Sequence, residues 1–199
     1  DVAIGNVPFG DYRVNDPVYN SHGFLIHDYF FAKTLDKLRA GGVAAYITTK
    51  GTMDKESTKV REFLFKKAEL LGAIRLPNTA FKNAGTKVTA DILFLQKRER
   101  EIENPEWTTI TEDAQGFRIN SYFVQHPEMI LGTMQEISGP YGMETTCVEK
   151  EGVPLGERLR AAISHITGHI PERVEEERAE FRYEIEQMAD TLDASKERI

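Results

Sequence analysis

The chain opens with Asp1-Val-Ala-Ile-Gly-Asn6-Val7-Pro8-Phe9-Gly10, a short apolar run that stops at a polar turn containing a proline and an aromatic residue. The apolar run predicts a buried strand, and Pro8 marks its end because proline has no N–H group for a strand ladder. A strand that ends here brings hydrogen-bond acceptors and an aromatic ring to one point. Such a group suits the binding of a flat base with an exocyclic amino group.

Length and composition predict one domain, or one and a half, with a core of its own. The chain has 199 residues, 40% of them apolar and 29% charged, which disfavours global disorder. It has no apolar run of about 18 residues for a membrane helix, and its one cysteine, Cys147, cannot form an internal disulfide or a thiolate zinc site. We therefore expect a cytoplasmic location. Residue 1 is not Met, and a binding strand rarely begins a protein, so we also expect further residues upstream.

The charge of the chain is unevenly distributed. The formal net charge is −7, but residues 50–100 hold twelve Lys/Arg and six Asp/Glu, so this block carries +6 and the rest of the chain −13. A basic block inside an acidic chain is compatible with DNA phosphate contacts on one face, and equally with a solvated helix surface. Lys50, Lys55, Lys82 and Lys87 are the candidate phosphate contacts.

Strand and helix patterns alternate over the first half of the chain. Apolar runs predict strands over residues 1–5, 43–49, 70–76 and 88–96, with helices before the second and the third of them. The resulting order, β-α-β-α-β-β, predicts an open and mainly parallel α/β sheet, with the last two strands as an antiparallel pair at its edge. Ligands of such sheets lie beyond the carboxyl ends of the strands, where Asn6 to Phe9 fall.

The pattern changes after Lys97, and we expect three regions. Residues 1–97 form the sheet domain, residues 98–150 an irregular α+β extension, and residues 151–199 a helical, acidic tail, so the C-terminal region as a whole is expected to be mostly helical. Ten acids and five bases in residues 171–199, with apolar residues on a helical spacing, indicate a solvated amphipathic helix or a short coiled-coil seam.

The turn after the first strand carries the chemistry. An adenine or cytosine amino nitrogen is a poor nucleophile because its lone pair is delocalised into the ring, and two acceptors placed around it would localise that pair. The Asn6 side-chain oxygen and the Val7 main-chain carbonyl can supply those acceptors. Pro8 stiffens the turn, and Phe9 offers a face on which an extruded base can stack.

These residues resemble a known family of enzymes. Asp1–Phe9 is similar to the (D/N)-P-P-(Y/F) motif of amino-methyltransferases acting on DNA adenine. Leu38–Thr49 resembles their "lkpGG" helix-to-strand segment, and Leu71-Gly-Ala-Ile-Arg-Leu-Pro-Asn-Thr-Ala-Phe81 their "iRLP…F" segment in N6-adenine methylases of the type I restriction-modification kind. The resemblance covers residues 1–97 and implies a partial Rossmann-like methyltransferase sheet, with catalytic roles for Asn6, Val7, Pro8 and Phe9. By position, it implies that Phe81 helps to hold the flipped base.

A looser resemblance extends further along the chain. Tyr122–Met129 and Gly139–Glu144 look similar to segments of the very large helicase–methylase fusions of bacterial mobile elements. This implies a bacterial protein whose partners are DNA and a helicase domain in the full-length chain, and no membrane. It does not identify the target DNA sequence.

Two departures from the family pattern qualify the resemblance. Val7 replaces the first proline of the motif, which leaves the carbonyl in place but makes the turn less stiff. The family binds S-adenosylmethionine through a glycine-rich turn and an acidic residue upstream of the motif, and neither Gly41-Gly42 nor Gly51 forms such a turn. We therefore expect the chain to be the C-terminal half of a methyltransferase, with a missing N-terminal half as its partner, and to be inactive alone.

Other interpretations stay open. A similar Asn-Pro-Pro-Tyr motif serves protein-glutamine methyltransferases, although the "RLP…F" segment and the basic block favour DNA. A non-catalytic interaction or dimerisation module of a larger DNA-processing protein is the alternative from a different class. His165 and His169 have the spacing of a zinc pair, but Gly168 weakens a helix there and no third ligand is evident, so no metal site is predicted.

Overall fold

The structure is a computed structural model that describes residues 1–139, 142–172 and 182–188. It divides into two compact units, residues 1–169 and residues 170–199. All three sheets that the described residues form lie in the first unit. In the second unit residues 182–188 are helical, and the remainder of the helix that the sequence predicts after Pro171 lies outside the described residues.

A four-stranded sheet organises the first unit. Its strands are β1 (Val2–Asn6), β2 (Val43–Thr49), β3 (Ala68–Leu76) and β4 (Ala90–Lys97), in the spatial order β1-β2-β4-β3. β1 pairs with β2 in parallel, whereas β4 is antiparallel to both β2 and β3. The α/β class and the strand order along the chain are confirmed. The sheet is mixed: three strands share a direction, and β4 is inserted between β2 and β3.

Three helices connect the strands. α1 (Ile26–Lys37) links β1 to β2, while α2 (Gly51–Asp54) and α3 (Lys59–Lys67) link β2 to β3. α1 and α3 pack against each other and the sheet, because apolar residues three and four apart line one side of each helix. Their fully or almost fully buried members are Phe31, Ala32, Leu35, Leu64 and Phe65.

The region after β4 is only partly helical. Two β-hairpins follow the sheet: the first pairs β5 (Ile110–Glu112) with β6 (Arg118–Asn120), and the second pairs β7 (Gly132–Gly139) with β8 (Gly142–Glu149). The short helix α4 (Ser121–Gln125) lies between the hairpins, and α5 (Leu155–Ile163) follows them. No helix in the part of the chain that the structure describes is long and apolar enough to cross a membrane.

The register of the sheet brings one terminus of each of the four strands to the same end of the sheet. Asn6 pairs with Ile47 near the end of β2, and Ala90 at the start of β4 pairs with both Thr49 and Leu76. The connection from β3 to β4, residues 77–89, therefore begins and ends at the end of the sheet where β1 stops. Ligands of α/β sheets bind beyond this end, at the carboxyl ends of the strands.

Candidate active site

A cavity of about 300 Å³ lies where β1 ends. One wall is the turn that follows β1, and the other is the β3–β4 connection. The volume is at the lower end of the range for small-molecule pockets. The cavity is lined by Asn6, Val7, Pro8, Phe9, Phe81, Ala84 and Thr86. The structure thus brings the four motif residues and Phe81 together, although 72 positions separate Phe9 from Phe81 in the sequence.

The two acceptor groups in this cavity are unused. The Val7 side chain is buried. The Val7 backbone N–H donates to the Ile47 carbonyl at 3.1 Å, which fixes the peptide between Asn6 and Val7. Asn6 is exposed. Within the described residues, neither the Asn6 side-chain amide nor the Val7 carbonyl has a hydrogen-bond partner. Both oxygens are therefore available to accept from a ligand.

Two aromatic rings face the same cavity from opposite elements. Phe9 is 37% exposed, which is high for a phenylalanine in a folded domain. Phe81 is half-buried and precedes a single 3-10 turn, Lys82–Ala84. Gly85 closes that turn at a φ of 75°, a left-handed conformation that favours glycine. Phe9 and Phe81 both line the cavity, so each offers an aromatic ring to it.

The four candidate lysines divide into two pairs. The Lys50 ammonium donates a hydrogen bond to the Thr145 carbonyl, and burial lowers the pKa of Lys50. Lys55 lies 2.6 Å from the Asp28 carboxylate. Lys82 and Lys87 are exposed, and among the described residues neither forms an ion pair. Of the four candidates, Lys82 and Lys87 are thus the two without a protein partner among the described residues, and both lie on the same β3–β4 connection as Phe81.

Sequence reasoning missed a buried charged group directly beneath the β3–β4 connection. Arg75, at the end of β3, binds Asp91 of β4 through two hydrogen bonds of 2.9 and 2.8 Å, and lies 2.7 Å from the Asp54 carboxylate of α2. Arg75 and Asp91 are both fully buried. Burial alone would lower the pKa of the Arg75 guanidinium, but the two carboxylates outweigh it and raise the pKa. The sequence does contain a signal for this pair, because Asp91 stands inside the apolar strand that follows the Arg75-Leu-Pro segment.

A second buried polar cluster lies at the first turn of α1. His27 Nε2 is 3.5 Å from the Asp28 carboxylate, and Asp28 also binds Lys55. Burial lowers the pKa of His27, because it disfavours the charged imidazolium more than the Asp28 charge favours it. His27 is therefore neutral near pH 7. His165 and His169, the pair with zinc spacing, both follow the end of α5, and no group of three metal-binding side chains converges among the described residues.

The sheet also has an open side next to this site. β1 is an outermost strand, and its Val2 and Ile4 side chains are 50% and 79% exposed. Beside it runs a groove of about 480 Å³. The groove is lined by Ala3, Tyr29, Phe30, Lys33, Thr34, Lys37, Leu38 and Tyr46. An outer strand edge with exposed apolar side chains is uncommon in folded domains, because it favours association with another chain or segment.

Comparisons with known proteins identify similar sequences. The family model described as N-6 DNA Methylase matches residues 1–120. The "Defense against restriction protein B" of Escherichia phage P1 is 34% identical over 106 residues, which are 51% of this chain and 5% of that protein.

Two solved structures are also similar. A candidate class I S-adenosylmethionine-dependent methyltransferase from Listeria monocytogenes is 23% identical and matches 53% of this chain and 34% of that one, with a TM-score of 0.40. A chain from a study of complex assembly and conformational transition of the type I R-M system is 16% identical and matches 97% of this chain and 45% of that one, with a TM-score of 0.41. This chain spans less than half the length of each of the three proteins.

Proposed function

Because this chain belongs to the N-6 DNA methylase family, whose model matches residues 1–120, we propose that it supplies the target-base-binding part of a DNA adenine-N6 methyltransferase. One observation carries the proposal. The cavity at the end of β1 combines two free acceptors, from Asn6 and Val7, with two aromatic rings, Phe9 and Phe81. This combination suits a flat base that bears an amino group.

The acceptors would act on the amino nitrogen of the base. Its two N–H groups donate to the Asn6 side-chain oxygen and the Val7 carbonyl, which draws the nitrogen toward a tetrahedral geometry and concentrates its lone pair away from the ring. A bound methyl donor would supply the electrophilic carbon for this nitrogen and would keep the electrons of its carbon–sulfur bond, and one amino proton would leave to solvent. The Val7 N–H bond to Ile47 would anchor Val7 at the end of β1 during this step.

The aromatic rings would compensate for taking the base out of the duplex. Extrusion costs a few kcal/mol, and stacking a base on one aromatic side chain contributes about 1–3 kcal/mol. Phe9 and Phe81 line the cavity from different elements, so both faces of the base can be covered. Lys82 and Lys87, exposed on the same connection as Phe81, are the side chains that we assign to DNA phosphates. Lys50 and Lys55 already have protein partners and would contribute less.

The cofactor would be S-adenosylmethionine, which supplies an electrophilic methyl group when bound. The cavity fits the base better than the cofactor, because none of the described residues that line it has a carboxylate that could bond to ribose hydroxyls. We therefore propose that another part of the enzyme holds the cofactor.

The open edge of β1, with Ile4 79% exposed, and the adjoining groove lined by Tyr29 and Phe30 support docking of that cofactor-binding half. The small share of the relatives that this chain covers leaves room for it. A helicase domain, implied by the resemblance alone, would lie outside this chain as well.

The test is methyl transfer by the full-length enzyme that contains this chain. We expect incorporation of labelled methyl groups into N6 of DNA adenine, and a loss of at least about 100-fold in kcat for Asn6→Ala with little change in DNA affinity, because the lost acceptor acts on the reacting nitrogen. Asn15→Ala, on the exposed loop that follows the motif, is the matched control and should keep full activity. Retained activity in Asn6→Ala, or methylation of a glutamine peptide in place of adenine, would refute the proposal.

A further inference from the structure

The hairpin of β7 and β8 holds both ends of the connection that carries Phe81. At the first end, the Asn78 N–H donates to the Cys147 carbonyl at 2.7 Å. At the second end, the Cys147 N–H donates to the Thr89 hydroxyl at 2.9 Å. One residue of β8 thus binds the start and the finish of residues 77–89. The family match ends at residue 120, so the hairpin lies beyond it.

The neighbouring Thr146 joins the same two ends through its side chain. Its hydroxyl accepts from the Asn78 side-chain amide at 3.2 Å and lies 3.0 Å from the Thr89 hydroxyl, a distance at which one of the two hydroxyls donates to the other. Asn78, Thr89 and Thr146 are 8%, 4% and 6% exposed. Since buried polar groups need partners, these hydrogen bonds among three side chains strongly constrain the geometry of the connection.

Backbone hydrogen bonds within the connection link its two ends to Phe81. Between its two ends it contains a chain of backbone bonds, among them those from Ala84 and Thr86 to the Phe81 carbonyl at 2.9 and 3.4 Å. A short segment that is closed at both ends and bonded internally has few conformations. The position of the Phe81 ring relative to Asn6 therefore depends on the bridge at Thr146.

We propose that Thr146 is a positioning residue for the base-binding cavity: it ties Asn78 to Thr89 and so holds Phe81 opposite the Asn6–Phe9 turn. The role for the base rests on the proposed function, whereas the anchoring of the connection does not. Thr146→Val tests both parts, because valine keeps the β-branched shape and removes the hydroxyl. Thr146→Ser restores the hydroxyl. Thr133→Val, at an exposed position of β7 in the same hairpin, is the matched control.

Hydrogen exchange measures the anchoring without any substrate. In Thr146→Val, we expect the amides of Lys82, Ala84 and Gly85 to exchange at least about tenfold faster, because their hydrogen bonds lie inside the released connection. The amides of β1 and β2 should stay as in the wild type. Thr146→Ser and Thr133→Val should leave all of these rates unchanged. An unchanged connection in Thr146→Val, or an equal rise throughout the sheet, would overturn the proposal.

Steady-state kinetics of the full-length enzyme measure the consequence. We expect Thr146→Val to lower kcat/KM for DNA roughly tenfold, within the range that one base–aromatic contact accounts for, and Thr146→Ser to restore it. In a Phe81→Ala background, Thr146→Val should cause no further loss, since both changes then remove the same contact. Additive losses would mean a general structural role and would contradict the proposal.

The two measurements separate the possible failures. If the wild-type enzyme transfers no methyl group to adenine, the proposed function is wrong, and the exchange rates alone decide whether Thr146 anchors Phe81. If the wild type is active and the exchange rates rise but kcat/KM is unchanged, the proposed function stands and the positioning role is refuted.

Discussion

The two edges of the central sheet differ sharply. The β3 edge is covered: Arg75 forms a parallel bridge with Ile130, and the Leu131 N–H donates to the Arg75 carbonyl at 2.9 Å. Further along β3, a Cβ atom added at Gly72 would lie 2.8 Å from Ile166. The β1 edge is open, with Ile4 79% exposed. Later residues of the same chain, Ile130, Leu131 and Ile166, thus cover the β3 edge, whereas no strand among the described residues pairs with the outer side of β1.

The largest expected effect is at the closed side. Asp91→Asn should lower the free energy of unfolding by about 3 kcal/mol or more, because it leaves the buried Arg75 guanidinium without its bidentate partner. Chemical denaturation measures the change. As a control, Glu56→Gln removes an exposed pair with Arg118 and should cost less than about 1 kcal/mol. Equal losses in the two variants would argue against a special role of the buried pair.

The second prediction compares isoleucines on the two edge strands. Ile74→Ala on β3 removes a fully buried side chain and should cost about 2–4 kcal/mol. Ile4→Ala on β1 should change the stability of this chain by less than about 0.5 kcal/mol, because the side chain is already in solvent. A loss above about 1 kcal/mol for Ile4→Ala would mean that the β1 edge is covered in solution, for example by self-association.

The third prediction tests what the open edge is for. Ile4→Lys should weaken binding of a separately expressed cofactor-binding half about tenfold or more, since a charge would be placed against the incoming strand. Titration calorimetry between the two halves gives the affinity. Val18→Lys, at a loop position that is 66% exposed, is the control and should bind as the wild type does. Equal binding by both variants would exclude β1 as the docking edge.

The smallest expected effect is a pH dependence of stability at His27, in the first turn of α1. The folded chain has a lowered His27 pKa, so between neutral pH and mildly acidic pH the unfolded chain takes up a proton that the folded chain does not. Stability should therefore fall as the pH drops through the ordinary histidine pKa of about 6.5. Asp28, Lys55 and Asp11 face this group. His27→Gln should flatten the profile measured by denaturation, and the exposed His165→Gln should not.

The local sequence was enough to predict the strands and helices of the sheet domain. It did not predict the contacts between residues far apart in the chain. β2 lies where it was predicted, because its apolar run is bounded by glycines and polar residues. The region of residues 98–150, expected to be an irregular α+β extension, contains α4, which starts where the Asn120 side chain accepts from the Tyr122 N–H at 2.9 Å. Asn120 also donates to the Met53 and Trp107 carbonyls, and no local pattern indicates those contacts.

The sequence by itself determined the α/β class, the order of strands and helices, and the placement of Asn6 to Phe9 at a strand end. These features follow from periodicity, from proline and from the family resemblance, all of which are local. Only the tertiary structure decided that β4 lies between β2 and β3, that Arg75 is buried in an ion pair, and that Lys50 and Lys55 have protein partners. The physical reason is that burial and hydrogen-bond partners depend on residues far apart in the chain.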